Sequence, residues 1–252
     1  MRACKLDALM TASSSSSTVA RAEFVPLQGD ARGYYACPSG DGPFPGVVLL
    51  QEAFGINDYI QSEVRRLAEH GYAGIAPDLF RGKTFSYDEF DKVAPMLQSL
   101  TDDGMIADVE ACIAYLDAQT NVKHDRYGAV GFCMGGRLSF LCAVEIDKVV
   151  AASSLYGGGI APDKPRHFTP LLDRVPDVHA ELLMIYGADD DGITPSEHAR
   201  LAEALSKEKK RYELSVYPGA PHGFASKDRP SYRRDQAEAA WAETLALFDR
   251  TL

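Results

Sequence analysis

The chain has 252 residues, 46% of them apolar, and a formal net charge of −10. That length allows one large α/β domain, or two small ones, with a sizeable core. The acidic balance argues against a nucleic-acid surface, which needs clustered Lys and Arg, and no run of about 18 apolar residues is present to form a membrane-crossing helix.

The opening stretch "MRACKLDALMTASSSSSTVA" has basic residues but no continuous apolar core, so it is a poor secretion signal. Residues 1–20, with the run Ser13 to Ser17, read as a disordered lead-in, with Met10 as an alternative start. Residues 21–252 read as one domain. The five cysteines, Cys4, Cys37, Cys112, Cys133 and Cys142, are odd in number, widely spaced and form no C-x-x-C pair. Reduced thiols in a cytoplasm are the simplest expectation.

From residue 22, "AEFVPLQ" and "GYYACP" read as two strands joined by a turn at Gly29–Asp30. "GVVLLQE" (46–52) is a continuous apolar run, as a strand buried on both faces of a parallel sheet requires. A helix follows, with Ile60, Val64, Leu67 and Ala68 on one face and Gly71 at its end, and then the strand "YAGIAPDL". A polar and aromatic segment, 81–103, precedes a helix carrying Ile106, Val109, Ile113 and Leu116. "RYGAVGF" reads as a strand and "GGRLSFLCAV" as a helix; "VVAASSLYG", "ELLMIYG" and "YELSVYP" read as three more strands. Thr194-Pro195-Ser196-Glu197 is a capping box opening a helix, with Pro at its first position. A last helix carries Trp241, Leu245 and Phe248. Strands alternating with helices over this length predict an α/β fold with a mostly parallel central sheet and helices on both faces.

Reactive groups of an open parallel sheet gather beyond the carboxyl ends of its strands. Four such ends carry unusual residues: "LLQEAFG", "VGFCMGG", "IYGADDDGITP" and "VYPGAPHGF". Cys133 has Gly131 two residues before it and Gly135 two after, at a strand–helix junction: the thiol form of a nucleophile elbow. A strained, sharp turn needs neighbours without side chains, and the start of the following helix favours negative charge on sulfur. His222, in a Pro/Gly loop after the last strand, is the candidate base. Asp189, Asp190 and Asp191 compete as the orienting acid. The order nucleophile, acid, His fits an α/β hydrolase.

Together "VVLLQEAFGIN", "GYAGIAPDLF", "GAVGFCMGG", "LLMIYGADDDGITP" and "YPGAPHGF" resemble the dienelactone hydrolase (carboxymethylenebutenolidase) family, a Cys-dependent branch of the α/β-hydrolase fold. The resemblance runs from about residue 20 to the C-terminus. It implies Cys133 as nucleophile, His222 as base, Asp190 as its orienter, and Glu52 as a buried carboxylate that helps generate the thiolate. It also implies an oxyanion hole at the backbone N–H groups of Ala53 and Met134. A carboxylated lactone needs a cationic anchor, for which Arg81 and Lys227 are the candidates; Tyr87 is a candidate substrate contact. "HGFASKDR" carries Ser226 and Lys227 where prototype members have Arg, and Lys lacks the planar fork of Arg.

The expected reaction is hydrolysis of a small-molecule lactone or ester through an acyl-enzyme, with dienelactones giving maleylacetate-type products in aromatic compound degradation. The chemistry requires no metal or organic cofactor, and a monomer or dimer would suffice. A broader carboxylesterase with the same triad is the alternative. A non-catalytic binding protein of this fold would carry an incomplete triad, and a thiol redox protein would need a resolving Cys closer than Cys142.

Overall fold

A computed structural model describes residues 17–164 and 167–252. Its eight described strands form one sheet in the order β1-β2-β4-β3-β5-β6-β7-β8. Strands β1 (Val19–Pro26) and β2 (Arg32–Pro38) are antiparallel to each other, and β2 is antiparallel to β4 (Ala73–Pro77). From β4 the sheet is parallel through β3 (Phe44–Leu50), β5 (Val122–Phe132), β6 (Val149–Leu155), β7 (Glu181–Gly187) and β8 (Tyr212–Tyr217). The expected α/β architecture with a mostly parallel sheet is what the chain forms. Strand β1 starts at Val19, two residues inside the stretch read as a lead-in, because Val19 pairs with Pro38. The rest of that stretch, with Met10 and Cys4, lies outside the described residues.

Both sheet faces are covered, and neighbouring residues of β5 show how. Tyr127 packs over Gly46 and donates its hydroxyl to Asp117 at the end of α3 (Asp102–Asp117). Gly128, facing the other way, leaves room for Phe248 and Leu252 of the C-terminal α6 (Arg234–Thr251) and the residue that follows it. Helix α1 (Asp58–Glu69) shares the α6 face: Arg66 bonds Glu238 and lies over the Trp241 ring. Helix α4 (Met134–Glu145) packs beside α3. Alternation of side chains along the strand thus divides the helices between two layers.

The segment 81–103, read only as polar and aromatic with no element assigned to it, contains α2 (Phe90–Ser99), with Pro95 inside it. Helix α5 (Pro195–Lys207) begins at the expected box: the Thr194 side chain accepts from the Glu197 N–H at 3.3 Å.

Candidate active site

The parallel strands deliver the site beyond their carboxyl ends. Strand β5 leads directly into Cys133, whose φ of 57° and ψ of −115° lie in a region that side-chain-bearing residues rarely enter. Two glycines permit this turn. A Cβ on Gly131 would lie 1.9 Å from the Gly135 carbonyl oxygen, and one on Gly135 would lie 2.1 Å from the Leu50 carbonyl oxygen. The end of β3 therefore presses directly on the first turn of α4, bringing Ala53 to the same cavity wall as Met134. As the first residue of α4, Met134 has an N–H with no intrahelical acceptor.

His222 Nε2 is 3.1 Å from Cys133 Sγ, and His222 Nδ1 is 2.7 Å from Asp190 Oδ2. The other oxygen of Asp190 accepts from the N–H groups of Gly192 (2.9 Å) and Ile193 (3.1 Å), fixing the carboxylate. Burial raises the Asp190 carboxyl, but the bonds from His222 and from those two amides outweigh it, and its pKa ends below the usual value. At His222 burial disfavours the cation; the Cys133 sulfur and Asp190 favour it more strongly and raise the imidazole from 6.5 to about 10. Of the three competing aspartates, Asp190 is the one that reaches the ring. Asp189 and Asp191 line the cavity beside it. That cavity, of about 560 Å³, is walled by Ala53, Leu97, Met134, Phe168, Ile193 and Pro221 around the Cys133–His222 pair.

Glu52, just beyond β3, is 1% exposed, and burial raises its pKa against the pull of Arg229 and Tyr87. The sequence reading placed the sulfur within range of both Glu52 and His222. In the structure the sulfur bonds His222, while Glu52 accepts from the Tyr87 hydroxyl (3.1 Å) and from Arg229 Nη1 (3.4 Å). Tyr87 is correspondingly not a wall of the cavity. Its hydroxyl is committed to Glu52 and, at 2.7 Å, to Ser226, and its ring packs edge-on against Phe54.

The two expected anchors do not reach the cavity either. Arg81 forms a two-armed pair with Asp108, both N–O distances 2.9 Å, in a separate cleft between β4 and α3. The backbone there turns away at Arg81 (φ 52°) and Gly82 (φ 91°). Lys227 lines another cleft, with Glu63 and Glu238 beneath α1 and α6. Arg229, which the sequence reading passed over, is the cation that meets Glu52, its guanidinium lying against the Tyr87 ring at 5.3 Å; the guanidinium that lines the cavity is that of Arg137.

A model of the dienelactone hydrolase family matches residues 31–252. The chain belongs to the dienelactone hydrolase family. A Synechocystis protein provisionally named carboxymethylenebutenolidase is 31% identical over 226 residues, covering 87% of this chain and 92% of its own. An Escherichia coli K12 protein with the same provisional name is 32% identical over 233 residues, 89% of this chain and 84% of its own. A crystal structure from Klebsiella pneumoniae, provisionally titled a dienelactone hydrolase, superposes with a TM-score of 0.83 at 30% identity, covering 91% of this chain and 97% of that one. These family relationships establish a hydrolase of the ester and lactone class. In this dienelactone hydrolase family member the turn at Cys133, the His222 loop and the loop after β7 converge on one cavity.

Proposed function

We propose that this dienelactone hydrolase cleaves a small lactone or ester by covalent catalysis at Cys133. The observation that carries this reading is the unbroken chain Cys133 Sγ–His222–Asp190 at a strained elbow opening into a cavity. The sulfur, its proton held by His222, attacks the substrate carbonyl carbon. The oxyanion formed rests on the Ala53 and Met134 amides, an arrangement in which each donor is worth about 10²–10³ in rate. The tetrahedral adduct collapses, the C–O bond breaks, and His222 hands its proton to the departing oxygen. A water then gives its proton to His222 and its oxygen to the acyl carbon, releasing the acid and restoring Cys133. Asp190 holds the ring so that Nε2 faces sulfur.

Glu52 is read as the buried acceptor that shifts toward the thiol when substrate loosens its bonds to Tyr87 and Arg229; its high pKa suits it to exchange a proton. The four described cysteines are free thiols, which fits a reducing cytoplasm.

Two substrate readings remain, and one observation favours the second. A carboxylated dienelactone of the aromatic-degradation type would need a cation at the cavity. Arg81 is saturated by Asp108, Lys227 lies in another cleft, and Arg137, whose guanidinium lines the cavity, is already paired with both oxygens of Asp102. Broader carboxylesterase activity asks for neither. The experiment is turnover of a carboxylated dienelactone and of p-nitrophenyl acetate, side by side, in wild type and Cys133→Ala, with intact-mass detection of the acyl-enzyme. Loss of turnover and of the acyl adduct in Cys133→Ala is the expected result. Turnover that survives the substitution would end the proposal.

A further inference from the structure

The side of α4 that starts at the nucleophile runs past two cavities. Arg137, one turn beyond Cys133, lines the first with Cys133 and His222. Leu141, one turn further along the same face, lines the second, of about 440 Å³, with Ile106 and Leu171. The strand of chain that covers α4 changes sides at the same point. Phe168 faces the catalytic cavity, and the next residue, Thr169, faces the second.

Arg137 stands at that divide. Its Nη1 donates to Asp102 Oδ1 at 2.7 Å and its Nη2 to Asp102 Oδ2 at 2.9 Å and to the Thr169 carbonyl at 2.6 Å. The guanidinium carbon lies 4.9 Å from the centre of the Phe168 ring. Both Asp102 and Thr169 belong to the wall of the second cavity, so the arm crosses from one space to the other. The side chain is 2% exposed, and its Nε has no hydrogen-bond partner. A desolvated cation with a donor left over is a poor way to stabilise a core; an apolar residue of similar volume would do as well or better. What the arm does achieve is a rigid partition, pinned at both ends.

Given the proposed acyl-enzyme, the direction of the substrate follows. The departing oxygen must lie against His222, so the acyl group extends the other way, along α4. We propose that Arg137 is the end wall of the acyl pocket and sets the longest acyl group the enzyme accepts. The second cavity then lies directly behind it, floored by Leu141, Ile106 and Leu171.

The test is the ratio of kcat/KM for p-nitrophenyl octanoate to that for the acetate, a quantity that does not depend on the fraction of folded enzyme. One methylene in an apolar pocket is worth about tenfold or more, so Arg137→Ala should raise the ratio at least tenfold. Arg137→Met, which keeps most of the arm, should leave it within a few-fold of wild type. Asp102→Ala releases the arm without shortening it and should move the ratio in the same direction as Arg137→Ala; it serves if the latter does not fold. Filling the second cavity in Arg137→Ala/Leu141→Trp should take the gain away. An unchanged ratio in both Arg137→Ala and Asp102→Ala overturns the proposal. Cys133→Ala, run alongside, keeps the two ideas apart: turnover that survives it would refute the acyl-enzyme whatever the ratio does.

Discussion

Replacing Asp190 with Asn tests the site at its hinge. The His222 imidazole titrates at about 10 instead of 6.5, a preference for the cation of about 5 kcal/mol before solvent screening at a ring 33% exposed. The Cys133 sulfur supplies the larger part and Asp190 the rest. If Asp190 accounts for up to half, neutralising it forfeits about 2 kcal/mol, or a fall of about 30-fold in kcat/KM. Geometry adds to this. One oxygen of Asp190 is fixed by the Gly192 and Ile193 amides, so an Asn at this position would keep its carbonyl there and turn its NH₂ toward Nδ1. The ring would then be held with its proton on Nε2, facing sulfur, and could not act as a base; losses near 10⁴ accompany that tautomer in a Ser triad. The expected fall therefore lies between about 30-fold and about 10⁴-fold, with Asn more damaging than Ala, which leaves the tautomer free. The assay is kcat/KM for an aryl ester from pH 5 to 10, paired with the rate of iodoacetamide alkylation at Cys133. The acid limb of the alkylation profile should move to higher pH in both variants. An Asn variant within a few-fold of wild type, with an unmoved alkylation profile, would refute this account of Asp190.

Three further outcomes are expected. Glu63 is buried, which raises its carboxyl to about 7 against the pull of Arg66 and Lys227; the folded state then binds more protons than the unfolded one between pH 4.5 and 7, and stability declines as pH rises through that window. Glu63→Gln removes the decline, so urea unfolding should show it more stable than wild type at pH 8, by up to about 3 kcal/mol, and little different at pH 4.5. Arg229→Met leaves Glu52 buried with only the Tyr87 hydroxyl, which should raise its pKa further, seen as a protonated-carboxyl infrared band that persists to higher pH than in wild type and is absent from Arg229→Met/Glu52→Gln. Gly135→Ala sets a methyl 2.1 Å from the Leu50 carbonyl oxygen, too close to accommodate without moving β3. It should cost several kcal/mol in chemical denaturation, whereas Ala at Gly71, whose added Cβ meets nothing within 4 Å, should cost only the penalty for a φ of 89°.

Local pattern carried most of the fold, and its failures have local causes. The apolar runs of β3 and β6 and the box at Thr194 are self-contained signals, and the structure has those elements where the pattern puts them. Helix α2 escaped because Pro95, which removes a donor from its hydrogen-bond ladder, reads as a helix breaker in a stretch of ten residues with one fully buried side chain, Val93. In α6 Trp241 and Phe248 are buried and Leu245 packs half-buried against the core as expected, and Thr244 and Leu247, which the stripe omitted, are buried with them; Thr244 is accommodated because its hydroxyl meets Ser153 at 2.8 Å, a pairing that hydrophobicity cannot announce. Cys133, Asp190 and His222 were each marked by a strand end and a loop, and the structure brings them into one hydrogen-bonded chain.

The residues missed or misplaced around the site share a different origin. Arg229 faces Glu52 across 177 positions of sequence, and Arg137 meets Asp102 across 35. A cation's role depends on which carboxylate it meets, and that is decided by the closing of the sheet rather than by the residues beside it. Arg81 shows the converse: a suitable cation just past a strand end, diverted because Asp108 on α3 offers two oxygens at 2.9 Å and a two-armed pair outcompetes a single charge reaching for an incoming substrate. Strand ends thus predict where nucleophile, base and acid gather, since topology alone brings them together. The far wall of the substrate's pocket rests instead on a long-range ion pair, Arg137–Asp102, and the Glu52 carboxylate is held by another, with Arg229. Relatives that keep the elbow and its two partner loops but exchange those pairs should therefore share the reaction while differing in what they hydrolyse.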